Sequence, residues 1–229
     1  MSQFLLAFTL FLVLHSVPAV PRVRGALIGT LGHATYIASY SVVSTVALAW
    51  LFLSTLNLDY IEIWQFRPWQ AWCTFILAPI GLFLVLAGLL SRNPFSISFR
   101  KKGEPDAIVT VTRHPVLWGF LAWSVGHIAP NGDLRFLLLF GGFALFSVGG
   151  FFMLDRRARR ALGPSWATAS SRTSIIPFAA VVRGQARLRI DWPMVAAILC
   201  TAVLVIWLLG GGHAALVGAD PLALLTGWR

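Results

Sequence analysis

The chain of 229 residues is 58% hydrophobic and only 11% charged, with a mean hydropathy of +0.78. That balance excludes an ordinary soluble domain and points to apolar runs of membrane-spanning length. A net charge of +10 would suggest nucleic acid in a soluble protein; here its distribution along the chain explains it, and no nucleic-acid partner is expected.

The fold expected is all-α: a polytopic transmembrane helical bundle of about six spans in a single domain, at roughly 2–17, 36–56, 72–90, 115–130, 135–154 and 193–210. The first span holds His15 and contains no Lys or Arg. It therefore lacks the basic start of a secretory leader and reads as a retained helix. Arg22, Arg24 and His33 lead into the second span. Trp64, Trp69 and Trp72 cluster at the far end of the hairpin between spans two and three, and Trp192 opens the sixth span; all four read as interfacial anchors. Span four begins at "RHP", Arg113 to Pro115, and carries His127 near its other end. Span five contains Gly142 and Gly149, seven residues apart and so on one face, where small residues let another helix approach closely. Arg156, Arg157, Arg159 and Arg160 continue directly from it and read as a membrane-surface helix facing anionic lipid headgroups. The final stretch "ALVGADPLALLTGWR" is interrupted by Asp220 and Pro221, is too short to span, and is expected at the interface. Cys73 and Cys200 lack metal-type spacing and read as isolated apolar thiols.

The basic residues fix an expected orientation. Of the 18 Lys and Arg, 15 follow spans one, three and five; only Arg67, Arg135 and Arg229 fall on the other side. The arginine-rich side is then cytoplasmic and both termini face outward.

Depth sorts the five histidines. His15, His33 and His114 fall at the cytoplasmic level, His127 and His213 near the outer face. His114 and His127 are 13 residues apart, which is about 20 Å along a helix and about 220° around it, so a straight helix cannot bring both to one metal. His15 and His114 share a depth on different helices, the arrangement by which a bundle holds a haem iron. Pro115 suits the first helical position, which makes His114 an N-cap with its side chain outside the helix ladder. The positive helix end favours neutral imidazole, the form that ligates metal. Arg113 could hold an anion there, such as a haem propionate, a lipid phosphate or a cofactor carboxylate. His33 and His213 read as helix-end residues bonded to backbone carbonyls. His127, one turn after Trp123, reads equally as a buried structural residue or a cofactor contact.

The ordered landmarks His15-Ser16, Pro21 with Arg22 and Arg24, Leu31-Gly32, "RNPFS" at 92–96, "TRHPVLWG" at 112–119, Gly126-His127, the Gly-rich fifth span and "IIPF" at 175–178 resemble the NnrU family over roughly residues 1–190. The resemblance implies a bacterial inner (cytoplasmic) membrane protein associated with denitrification, in nitrite and nitric oxide metabolism, and hence a nitrite or nitric oxide reductase system as partner. The related 15-cis-zeta-carotene isomerases are similar in sequence; they use haem b and act on a carotenoid, so the resemblance implies haem b here, with haem-bearing histidines at His15 and His114. A carotenoid-like or other apolar substrate is compatible with this, although isomerase activity itself is not implied.

A second resemblance is to isoprenylcysteine carboxyl methyltransferases and phospholipid methyltransferases, through "RHPVLWGFLAW" and a later acidic residue followed by "LG" and "IIP". It implies an S-adenosylmethionine-dependent methyltransferase. Leu117 stands where that group has Tyr, and its acidic pair becomes Asp155-Arg156, a charge reversal that disfavours methyl transfer. A third reading is a non-enzymatic scaffold or maturation factor with structural histidines. The haem reading ranks first, with His15 and His114 as metal ligands and Arg113 and His127 as further cofactor contacts.

Overall fold

The computed structural model describes residues 1–16, 20–100 and 103–226. Lys101, Lys102 and Arg229, three of the counted cations, lie outside the described residues, as does position 17 at the end of the first expected span. The described chain is helical and contains no strand, only isolated bridges between Glu62 and Asp133 and between Arg92 and Arg100. Its helices are α1 (Ser2–Ser16), α2 (Pro21–Leu31), α3 (His33–Leu56), α4 (Pro68–Leu90), α5 (Ile108–Val111), α6 (Pro115–Ile128), α7 (Leu134–Leu162), α8 (Trp166–Ser170), α9 (Ala179–Val182), α10 (Trp192–Trp207), α11 (His213–Val217) and α12 (Ala223–Thr226).

All six expected apolar segments are helical. By length and composition four helical runs can cross a membrane: α3, α4, Leu134–Ser170 and Trp192–Val217. The shorter apolar helices are α1 and α6. Prolines set several starts. Pro21, Pro68, Pro115 and Pro193 occupy the first or second helical position, where a missing N–H costs nothing. Asp191 caps α10 by accepting from the Met194 N–H at 3.2 Å, and its other oxygen accepts from the Ala107 N–H at 2.6 Å. Helix α2 occupies a stretch expected to be a connector. Gly32, at φ 76°, breaks it from α3, so that His33 becomes the first residue of α3. Helix α7 runs eight residues past the expected end at 154, and Arg156 to Arg160 lie on that same continuous helix.

The chain forms two compact units. In the first, Met1–Ile63 with Asp133–Leu139, α1 packs on α3. Phe4, Ala7 and Phe11 repeat at helical spacing and are buried, as are Tyr36, Ala47 and Leu51 of α3.

The second unit, Trp64–Gly132 with Phe140 onward, is organised by α4 and α6. Their seam is made of glycines. A Cβ on Gly81 would stand 2.6 Å from the Gly119 carbonyl oxygen, and one on Gly88 would stand 2.7 Å from Val116. Gly126 sits over Leu77 and Cys73, and its carbonyl accepts from the Thr74 hydroxyl at 2.6 Å. The close approach expected at Gly149 is therefore found elsewhere: Gly149 has open space around it, and its neighbour Gly150 meets Leu117. Trp69, Trp72 and Trp192 are exposed, as interfacial anchors require, whereas the indole N–H of Trp64 donates to the Ala129 carbonyl at 2.9 Å. Trp64 thus fastens a loop. The last long helix ends in a kink: Gly210 and Gly211 leave helical geometry within the turn Leu208–Gly212.

Candidate functional site

Three of the sequence landmarks converge at the N-terminal end of α6. His114 is its N-cap, at φ −123° and ψ 61°, with no side-chain cap bond, so the ring is outside the helix ladder as expected. The imidazole is fully buried. Its Nε2 lies 3.2 Å from Asp155 Oδ1, on α7, and its Nδ1 is buried with no hydrogen-bond partner.

Arg113 is built in rather than free. Its Nη1 donates to the same Asp155 Oδ1 at 2.7 Å and its Nη2 to the Thr173 carbonyl at 3.2 Å. The guanidinium stacks on Trp166 at 4.9 Å and on Phe95 at 5.7 Å. Any anion here would compete with Asp155, although the buried Nε–H of Arg113 has no partner.

The segment "RNPFS" supports this arginine from below. Asn93 is fully buried; its amide donates to the Arg113 carbonyl at 3.0 Å and its Oδ1 accepts from the Phe95 N–H at 2.9 Å. Arg92 anchors the same loop on Asp106 through its Nη2 at 2.6 Å. From the other side, residues 173–178 strap the start of α6. The Arg113 N–H donates to the Ser174 carbonyl at 2.7 Å, and the Phe178 N–H to the Val111 carbonyl at 2.7 Å. The Ile175 carbonyl accepts from Thr112 Oγ1 and from Trp118 Nε1, both at 2.8 Å. Phe178 is the single non-glycine residue at positive φ, 62°, among the described residues.

The remaining histidines are placed separately. His15 belongs to the first unit. It is half-buried, its Nδ1–H donates to the Phe11 carbonyl at 2.8 Å, and its Nε2 accepts from the Ser44 hydroxyl at 3.2 Å. His127, at the far end of α6 from His114, donates from Nδ1 to the Trp123 carbonyl at 2.7 Å, with Trp123 and Phe140 packed on its ring. His213 donates to the Ala219 carbonyl at 2.7 Å, the helix-end role expected for it. His33 is exposed.

Imidazole nitrogen is a donor that haem iron accepts. In the second unit His114 presents a buried Nδ1 with no hydrogen-bond partner among the described residues, and in the first unit Nε2 of His15 accepts from Ser44. Among the described residues no group of three or more His, Cys, Asp or Glu is arranged for a metal ion, so a cluster of that kind is not what these histidines form. Sequence reasoning misses Asp155 as the partner of His114, and it misses Asn93 and Ser44. A polar residue inside an apolar span is the signal that exposes Ser44; Asp155 enters the sequence reading only as the acidic residue of the methyltransferase-like pattern.

Comparison with known proteins gives two further findings. The chain is similar to the 15-cis-zeta-carotene isomerases of Zea mays and Arabidopsis thaliana, at 29% and 31% identity over 85 residues, which is 37% of this chain. It spans only 23% of the length of those relatives. No solved structure matches. Residues 3–221 match the NnrU protein family, past the stretch over which the landmarks are recognisable, and the chain belongs to that family.

Proposed function

We propose that this chain is a haem b protein of the bacterial inner membrane acting in nitrite and nitric oxide metabolism, with His114 as a residue that would hold the haem. The observation that carries the reading is the state of His114: fully buried, with a ring nitrogen, Nδ1, that has no hydrogen-bond partner among the described residues. A buried polar atom left unpaired calls for an explanation, and a bound ligand is one that would satisfy it. Bound haem would supply one-electron chemistry. The chain's own part is to orient the His114 imidazole through Asp155, which Arg113 holds in place, and to exclude water with Trp118 and Phe151. In this reading the arginine-rich side faces the cytoplasm and anionic lipid, and both termini face outward.

The test is the absorbance spectrum of the protein purified in detergent after expression with haem supply. A Soret band that His114→Gln abolishes supports the reading. No band, or a band indifferent to that replacement, overturns it.

A second reading is isomerisation of a polyene or other apolar substrate, favoured by the activity named for the plant relatives. It predicts a shift in the isomer ratio when the purified protein is incubated with a cis-carotenoid and the products are separated by chromatography; an unchanged ratio with haem loaded removes it. Methyl transfer is the third. Asp155 is engaged by both Arg113 and His114, which leaves it little to offer a cofactor cation, and calorimetry without heat of binding for millimolar S-adenosylmethionine would exclude it.

A further inference from the structure

Between Asp155 and Asp191 the chain carries eight arginines, all exposed, and no acidic residue. The far half of this stretch, residues 176–192, is also rich in exposed apolar side chains. Ile176, Phe178, Val182, Leu188 and Ile190 are 50% to 83% exposed, and Trp192, the first residue of α10, is 74% exposed. All belong to the second unit.

This exposure is built in. The Phe178 N–H donates to the Val111 carbonyl, and the Ala180 carbonyl accepts from the N–H groups of Gln185 and Ala186 at 2.9 and 3.2 Å. Helix α9 packs on α5 and Ala180 is fully buried, whereas Val182, two residues on, is the most exposed of the set. Phe178 stands at φ 62°, a left-handed conformation that glycine adopts freely and other residues only at a cost. Its side chain is half exposed, so contacts within the chain return only part of that cost.

Depth follows from α10. Trp192–Val217 is long and apolar enough to cross a membrane, so the residues just before it lie at the membrane surface, with Trp192 as the anchor. There Arg187, Leu188, Arg189 and Ile190 alternate charge and hydrocarbon. Among the described residues Arg183, Arg187 and Arg189 have no carboxylate partner, and Asp191 is occupied by the N–H groups of Met194 and Ala107. An acidic soluble partner would satisfy the arginines, but it would have to displace the lipid beside Trp192. We propose that residues 176–192 form an interfacial wedge: Phe178, Val182, Leu188 and Ile190 enter the boundary between headgroups and acyl chains, and Arg183, Arg187 and Arg189 bind the phosphates of anionic phospholipid. The wedge rests on the reading above that the arginine-rich side meets anionic lipid, and it is independent of haem.

The experiment uses the full chain with Cys73→Ala and Cys200→Ala, labelled with an environment-sensitive dye at Val182→Cys. It is placed in nanodiscs of equal parts phosphatidylcholine and phosphatidylglycerol, with bromine on the acyl chains of one lipid or the other. Quenching is read against the same disc without bromine, which cancels any effect of bound haem. Both faces of the disc carry the same lipid, so the result does not depend on the orientation of the protein in the cell. Both brominated lipids should quench, and phosphatidylglycerol at least about twofold more strongly, because one arginine beside an anionic surface favours association about fivefold. That excess should vanish in the triple variant Arg183→Gln, Arg187→Gln, Arg189→Gln, while quenching itself persists. A dye quenched by aqueous iodide and by neither lipid overturns the wedge and leaves this surface to an acidic soluble partner. Equal quenching by the two lipids with all three arginines in place overturns their role, even if the triple variant fails to fold. An excess that survives the triple replacement overturns the assignment to these three arginines.

Discussion

Gly81 of α4 and Gly119 of α6 approach so closely that neither position can hold a side chain: a Cβ on Gly119 would stand 2.5 Å from the Gly81 carbonyl oxygen. The obstacle is backbone, which cannot rotate aside as a side chain can. Gly119 is the last residue of "TRHPVLWG", so the motif that supplies Arg113 and His114 also supplies the contact that seats their helix. Replacing Gly119 by Val is expected to cost about 3 kcal/mol or more, the upper range for overpacking. Gly149→Val, which enters open space, should stay within about 0.5 kcal/mol, apart from a helix-propensity term. Thermal unfolding of both variants in the same detergent checks the contrast; equal shifts would mean that the α4–α6 seam is not the close-packed one.

Arg113 and Asp155 should behave as a unit. Their side chains are 10% and 18% exposed, so removing one partner leaves a poorly solvated charge. Arg113→Leu is expected to cost about 3 kcal/mol, at the low end for a buried pair because Asp155 keeps some water access. The double replacement with Asp155→Leu should recover part of that loss. A double-mutant cycle from unfolding midpoints measures the coupling, and additive effects would show that the pair contributes no mutual stabilisation.

Acid should loosen the 92–106 loop. Burial alone would raise the Asp106 carboxyl, but hydrogen bonds and charge from Arg92, with Arg100 further off, hold it below its ordinary value. A carboxyl depressed in the folded state stabilises fully above its unfolded pKa, about 4, and that contribution disappears as the pH falls through the lower folded value. Stability should therefore be flat in this respect from neutrality down to about pH 4 and decline below it. Asp106→Asn should be less stable at neutral pH and lack that acid step. Unfolding midpoints between pH 3 and 7 test the sign; a loss of stability on raising the pH, abolished by the same replacement, would contradict it.

The strap over α6 can be opened selectively. The Ile175 carbonyl accepts from both Thr112 and Trp118. Thr112→Val with Trp118→Phe removes both bonds at about 1 kcal/mol each. If the strap opens and closes quickly relative to cleavage, trypsin should cut at the exposed Arg172 about tenfold faster or more. Unchanged cleavage would place the strength of the strap in its backbone bonds, from Arg113 to Ser174 and from Phe178 to Val111.

These tests bear on features that differ in how readable they are from sequence. The apolar helices are legible because a run of apolar residues needs no partner to be recognised, and the start of α6 is legible because Pro115 fixes it locally. The glycine seam is half legible. Gly81 and Gly88 are seven apart, as are Gly119 and Gly126, the same spacing that draws attention to Gly142 and Gly149. Spacing identifies a face that can accept a neighbour, but which face receives one is decided by tertiary packing. Asp155 lies 41 residues from His114, and nothing local distinguishes it from a charge that merely ends a span. Its contacts with Arg113 and His114 are made across the fold, and no single stretch of sequence encodes them. The landmarks "RNPFS" and "IIPF" are recognisable as words in order. Their physical connection is the backbone of Arg113, held by Asn93 on one side and Ser174 on the other.

Gly132 shows what intolerance to change can and cannot mean here. The backbone of Trp64 donates to the Gly132 carbonyl at 3.0 Å, and any Cβ at 132 would collide with the Trp64 carbonyl. In a saturation library, position 132 should therefore be depleted as severely as position 114, though it carries no reactive group. Survival alone ranks a hinge pin with an imidazole. Depletion therefore says nothing about the proposed haem, which only a direct spectroscopic assay reads.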